Sequence, residues 1–164
     1  MTAPARRPGT DRPRILVWLD GREATIVRSG SEGPSLERVF ATEPVPSHGS
    51  GRRRHAPNAR HGEEWKGVAE RRSERRLEDF LAKVAARLEP GADLEIIGPG
   101  PVHERLAREI VAADVRHAND RSVRAEAASR LTVPQLQARL REAIERTAEG
   151  PGTPPRNSNS GGIR

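Results

Sequence analysis

Apolar residues along the chain fall into two alternating rhythms. Residues 14–20, RILVWLD, are a continuous apolar run, which reads as a buried strand closed by the turn signal Asp20-Gly21. Residues 22–29 alternate, with Ala24 and Ile26 on one side and Glu23, Thr25 and Val27 on the other; Arg28 falls in line with the first set. After Gly30 and Gly33-Pro34, residues 35–42 alternate again around Leu36, Val39 and Phe40. Three short strands in succession predict an antiparallel meander, with Trp18 and Phe40 in the core. The period then lapses. Residues 43–64, EPVPSHGSGRRRHAPNARHGEE, have no apolar rhythm and read as one long loop.

From residue 65 to 88 the spacing is helical. Trp65, Ala69, Leu77, Phe80, Leu81, Val84 and Leu88 recur three to four apart, charges such as Arg71, Arg75, Asp79 and Lys83 cover the other face, and Pro90-Gly91 ends the run. Residues 93–98, DLEIIG, form a short strand. Gly98-Pro99-Gly100-Pro101 makes a tight turn with Pro101 suited to a first helical position, and Val102, Leu106 and Ile110 line the helix that follows. His103 and His117 read as exposed. Residues 121–128 alternate with Val123, Ala125 and Ala127 inward. Thr132 with Gln135 is a capping box for a last helix lined by Leu136, Leu140 and Ile144. The order β-β-β-loop-α-β-α-β-α implies an α/β fold with a mixed five-stranded sheet, its first strand central and its later strands parallel. That is the ribonuclease H-like topology.

Composition changes the picture at the ends. The chain has 164 residues, and its first 13 and last 17 (148–164) hold Pro, Gly, Ser, Asn and Arg with almost nothing to bury. They are expected to be a disordered basic arm and a disordered tail around a single domain at 14–147. The absence of cysteine excludes disulfides and thiolate metal sites. No apolar stretch of signal-peptide or membrane-spanning type is evident, so a cytoplasmic protein is expected.

Charge has a definite location. The net charge is +6, of which the arm through Arg14 carries +3, residues 47–62 carry +4 and the tail +1; the remaining body is −2. Positive charge held on an arm and a loop suits a phosphate-rich partner. The candidate nucleic-acid-binding residues are Arg52, Arg53, Arg54 and Arg60 with His48, His55 and His61. Guanidinium forks pair with phosphate and stack on unpaired bases, and imidazoles add donors when protonated. Trp65, at the loop–helix junction, could stack on a base or simply staple the helix start. The same segment could also be a charged linker. The three loop histidines, spaced His-x6-His-x5-His, match no tight zinc motif. Asp20 ends the first strand, where a metal-dependent nuclease would place a carboxylate, and Glu64 and Glu70 could approach it. The fourth strand ends in Gly98-Pro99 with no acid, so the set is incomplete. No cofactor is implied.

The stretches VWLDGREATI, GSGRRRHAP, LEIIGPG and LTVPQLQARLREA together resemble a family of small bacterial translational machinery proteins. These are relatives of the middle domain of the archaeal-eukaryotic peptide-chain release factor, and host-attachment proteins share the pattern. The resemblance covers roughly residues 14–146 and implies the ribonuclease H-like fold and a ribosome or ribosomal RNA partner. In the release factor the loop after the third strand carries Gly-Gly-Gln. Here that loop has Gly49 and Gly51 but no glutamine, so peptide release is not expected. The expectation is a non-enzymatic ribosome- or RNA-associated protein with no membrane partner. The alternatives are a metal-dependent nuclease or hydrolase of the same fold and a protein-interaction module.

Overall fold

A computed structural model describes residues 12–42 and 62–148; of residues 62–66 and 148 it describes the backbone. Its elements in chain order are β1 (Arg14–Leu19), β2 (Glu23–Arg28), β3 (Ser35–Phe40), α1 (Gly62–Ala85), β4 (Asp93–Gly98), α2 (Val102–His117), β5 (Val123–Ala127) and α3 (Val133–Ala148). The strands form one mixed sheet in the order β3-β2-β1-β4-β5. β1 runs antiparallel to β2 and parallel to β4, and β5 is parallel to β4. The expected order and the central β1 both hold.

The apolar run of β1 is explained by burial on both faces. Ile15, Val17 and Leu19 join Ala24, Ile26, Val39, Leu94 and Ile96 on the face covered by α1 and α2, which supply Phe80, Leu81, Val84, Leu106 and Ile110, with Leu88 from the turn after α1. Leu16, Trp18, Val27 and Ile97 point to the other face, where α3 supplies Leu136 and Leu140. Each large side chain so buried contributes roughly 1.5–3 kcal/mol. At the start of α3, Gln135 Oε1 accepts from the Thr132 amide at 2.9 Å and from its hydroxyl at 3.0 Å, so the capping pair is made.

Several side chains depart from the periodic reading, each for a geometric reason. Phe40 is 57% exposed rather than in the core: its register opposite Glu23 puts it on the α3 side, and α3 covers β1 and β2 but not the edge strand β3. Ala125 and Ala127 are exposed because β5 is the other edge. Ile144 is 39% exposed and Ala143 is buried in its place. At 100° per residue, position 143 lies nearer the Leu136–Leu140 line than 144 does. His103 is buried, not exposed, on the inner stripe of α2 with Leu106 and Ile110, whereas His117 is exposed. Helix α1 begins at Gly62, so the segment expected to be loop through Glu64 gives up its last three residues to the helix.

Strand direction sets where things emerge. β1, β4 and β5 finish at one end of the sheet, and two antiparallel reversals bring β3 to finish there as well. Helix α1 starts at that end and descends toward β4. Its 24 residues span about 36 Å, against about 20 Å for a six-residue strand. Burial on α1 is complete only from Phe80 onward, and residues 68–72 are all exposed, Ala69 among them. The first half of α1 therefore stands beyond the sheet.

Candidate nucleic-acid interface

The residues singled out by charge, Arg52, Arg53, Arg54, His55, Arg60, His61 and His48, lie outside the described residues, as does the side chain of Trp65. The frame that carries them is described on both sides. The Ala41 amide donates to the Arg22 carbonyl at 2.8 Å, and the Lys83 ammonium donates to the Thr42 hydroxyl, which ties the end of β3 to both β2 and α1. The segment thus leaves and returns at the end where the parallel strands finish. In open α/β sheets that is where ligands bind.

Within the folded body most partly buried cations are matched by carboxylates. Arg28 and Arg87 share Glu37; Arg139 joins Glu95 on β4 and Glu126 on β5; Arg105 of α2 holds Glu74, Glu78 and Glu109. Burial would raise the Glu37 carboxyl, but hydrogen bonds from Arg28 and Arg87 outweigh it and hold the group below its ordinary range. The same contest at Asp114, between burial and the hydrogen bonds of Arg121 and Asn119, also ends with a lowered carboxyl. Arg121 and Asp114 form the most enclosed of these pairs, at 2.7 Å with 6% and 9% exposure.

The outer face of α1 differs. Arg71, Arg72 and Arg75 are exposed and make no ion pair among the described residues. Taken at 100° per residue, they fall within about 100° of arc on the side opposite Phe80, Leu81 and Val84. The acids of this stretch that have a described partner, Glu74 and Glu78, are turned toward α2 and held by Arg105. Arg71 and Arg75 are four residues apart, as are Arg72 and Arg76. Like charges at that spacing cost an isolated helix about 0.2–0.5 kcal/mol per pair. Asp79 and Lys83 share this side of the helix, so the mixed-charge face expected from the sequence holds, and the repeated Arg-Arg doublet, ERRSERR, is the sequence signal of its arginine excess.

On the α3 side of the sheet a groove of about 380 Å³ lies between β2, β3 and the start of α3, lined in part by Trp18, Thr25, Arg38, Arg130 and Leu136. The Arg130 guanidinium sits 5.6 Å from the centre of the Trp18 ring and pairs with Glu23, and Trp18 Nε1 donates to the Ser129 carbonyl at 3.1 Å. The indole is thereby held within the fold. The exposed aromatic here is Phe40, which follows the exposed Arg38 by two residues on the same face, just before the chain leaves toward the basic segment.

The remaining candidates resolve into structure. Asp20 Oδ1 accepts from the amides of Arg22 at 2.7 Å and Glu23 at 2.9 Å, closing the β1–β2 turn. Among the described residues no three of His, Asp and Glu converge as a metal-holding group. A Cβ at Gly98 would lie 1.9 Å from the Leu19 carbonyl oxygen, so the Gly98-Pro99-Gly100-Pro101 turn permits the close approach of β4 to β1. Gly100 has φ +66°, and Pro101 is the residue just before α2. His103 Nδ1 is buried and has no hydrogen-bond partner among the described residues. No helix among the described residues is long and apolar enough to cross a membrane.

No protein-family model matches the chain, and no curated protein matches it. Among solved structures it is similar to the Pelota protein of Thermoplasma acidophilum, at 14% identity and a TM-score of 0.36, over 88% of this chain. The chain spans 41% of the length of that protein.

Proposed function

We propose that this protein is a non-enzymatic ribosome- or RNA-associated accessory protein of the cytoplasm that binds through the basic segment between β3 and α1. The observation that carries the reading is the segregation of charge. In the folded body the partly buried Arg28, Arg105, Arg121 and Arg139 are each engaged by carboxylates, whereas residues 44–62 hold Arg52, Arg53, Arg54 and Arg60 with no acid among them. Unmatched guanidinium groups release counterions from phosphates and attract nucleic acid from a distance. His48, His55 and His61 supply further donors, and Phe40 offers a ring for stacking where the segment begins. The sheet order supports a ribonuclease H-like reading of the fold, and the motif resemblance to translational machinery proteins supports a ribosomal partner. Asp20, occupied by its own turn, favours binding over metal-dependent cleavage.

The test is co-sedimentation. Wild-type protein travels with ribosomes or a subunit on a low-salt sucrose gradient and returns to the top as salt rises. Replacing Arg52, Arg53, Arg54 and Arg60 by Gln removes it from the ribosomal fractions at low salt while thermal melting stays near native, since surface changes of this kind move stability by about 0.5 kcal/mol or less. Undiminished co-sedimentation of that variant would make the segment a linker.

A further inference from the structure

We infer that the outer face of α1 around Arg71, Arg72 and Arg75 is a second nucleic-acid contact that docks along the phosphate backbone of base-paired RNA. The inference rests on the nucleic-acid reading of the basic segment and extends it to a described surface. Three observations converge. First, the N-terminal half of α1 stands beyond the sheet with residues 68–72 exposed. A helix that extends past its packing partners needs some other reason to do so. Second, its outward face carries an excess of arginine, with Asp79 the acid that shares it. Glu74 and Glu78 are held by Arg105, while Arg71, Arg72 and Arg75 share the outward arc with no ion pair among the described residues. Third, the doublets place arginines one turn apart, as like-charge pairs that each oppose the helix. Such local conflict is expected where a surface serves a partner.

A rigid helix presents its cations at fixed spacing, about 6 Å of rise per four residues. That order suits the regular phosphate array of a duplex. The same helix opens directly from the basic segment, so the two contacts are continuous in the chain.

Filter binding of a fluorescent RNA hairpin with about 20 base pairs, and of an unpaired RNA of equal length, separates the possibilities over several salt concentrations. Three variants of the full chain are compared. One carries R71Q, R72Q and R75Q. One carries Gln at the four arginines of the basic segment. The third, R108Q, R116Q and R141Q, removes the same charge from exposed positions on α2 and α3. The α1 variant is expected to weaken duplex binding tenfold or more and to flatten the plot of log affinity against log salt by about 3, one per phosphate contact. Its melting temperature stays level or rises, since like-charge neighbours are removed. The α2/α3 variant stays within about threefold of wild type. Wild-type affinity and slope in the α1 variant overturn the inference, and so does an equal loss in the α2/α3 variant, which makes net charge the cause. A loss confined to the unpaired RNA overturns the duplex assignment. If the α1 variant binds normally while the segment variant does not, the proposed function stands and this inference falls. If wild-type protein binds neither RNA at low salt, both fall.

Discussion

Gly98 controls the sheet by what it lacks. With the Leu19 carbonyl 1.9 Å from where its Cβ would stand, Gly98→Ala forces β4 away from β1 at the centre of the fold. The expected cost is at the upper end of the roughly 1–3 kcal/mol typical of over-packing, or beyond it, read by urea denaturation. Asp114 is the opposite case, a residue whose presence fixes its neighbours. Its carboxylate takes two bonds from Arg121 and one from Asn119, while its backbone carbonyl accepts the closing amide of α2. Asp114→Asn leaves a buried guanidinium without its counter-charge, and a loss of about 3–5 kcal/mol is expected. The folded-state carboxyls of Asp114 and Glu37 are both lowered. Their stabilisation is therefore fully present above the ordinary carboxylate range near pH 4 and is lost as pH falls through their lower folded values. Melting temperature should hold from neutral to about pH 5 and drop below about pH 4, with a shallower acid limb in D114N. Local chemistry of this scale was partly legible in sequence. The Asp20 turn and the Thr132–Gln135 cap depend on near neighbours alone, whereas the need for glycine at 98 comes from Leu19 on another strand. Phe40 and His103 were misread because their burial depends on which layer covers them, and a single segment carries no such information.

At the scale of elements, the two rhythms of the sequence found every strand and helix that the structure describes, because period reports backbone geometry directly. They failed where an element outruns what it packs against. Helix α1 reads as one amphipathic stripe from Trp65 to Leu88, yet full burial starts at Phe80. The stripe therefore carries a gradient of cost. Leu81→Ala, at a fully buried site, is expected to lose about 2–5 kcal/mol. Leu77→Ala, at a partly buried site, is expected to lose less, about 1–2 kcal/mol, and Val68→Ala, 40% exposed, close to nothing. Equal losses at all three positions, measured by chemical denaturation, would mean that the first half of the helix packs against something. The edge strands show the same limit from the other side. β3 and β5 alternate as a half-buried strand should, but α3 is one helix wide and leaves the outer side chains of β3 to solvent, while Ala125 and Ala127 of β5, on the face that α1 and α2 cover, lie exposed at the sheet's other edge.

For the whole molecule, strand order followed from connectivity: a meander and two crossovers leave few arrangements with β1 at the centre. The basic segment was legible only as charge, since composition shows where cations lie and not how they are held. The directions of the strands add one more consequence. The Asp93 amide bonds the Pro13 carbonyl, Arg12 pairs with Asp120, and the Arg14 guanidinium reaches the Thr147 hydroxyl, so the two ends of the described body meet beneath the sheet. The basic segment departs from the other pole. A body with entry and exit side by side can be carried as an insert within a longer chain, or tethered by either end, with the end of β3 and the start of α1 at the pole away from the attachment.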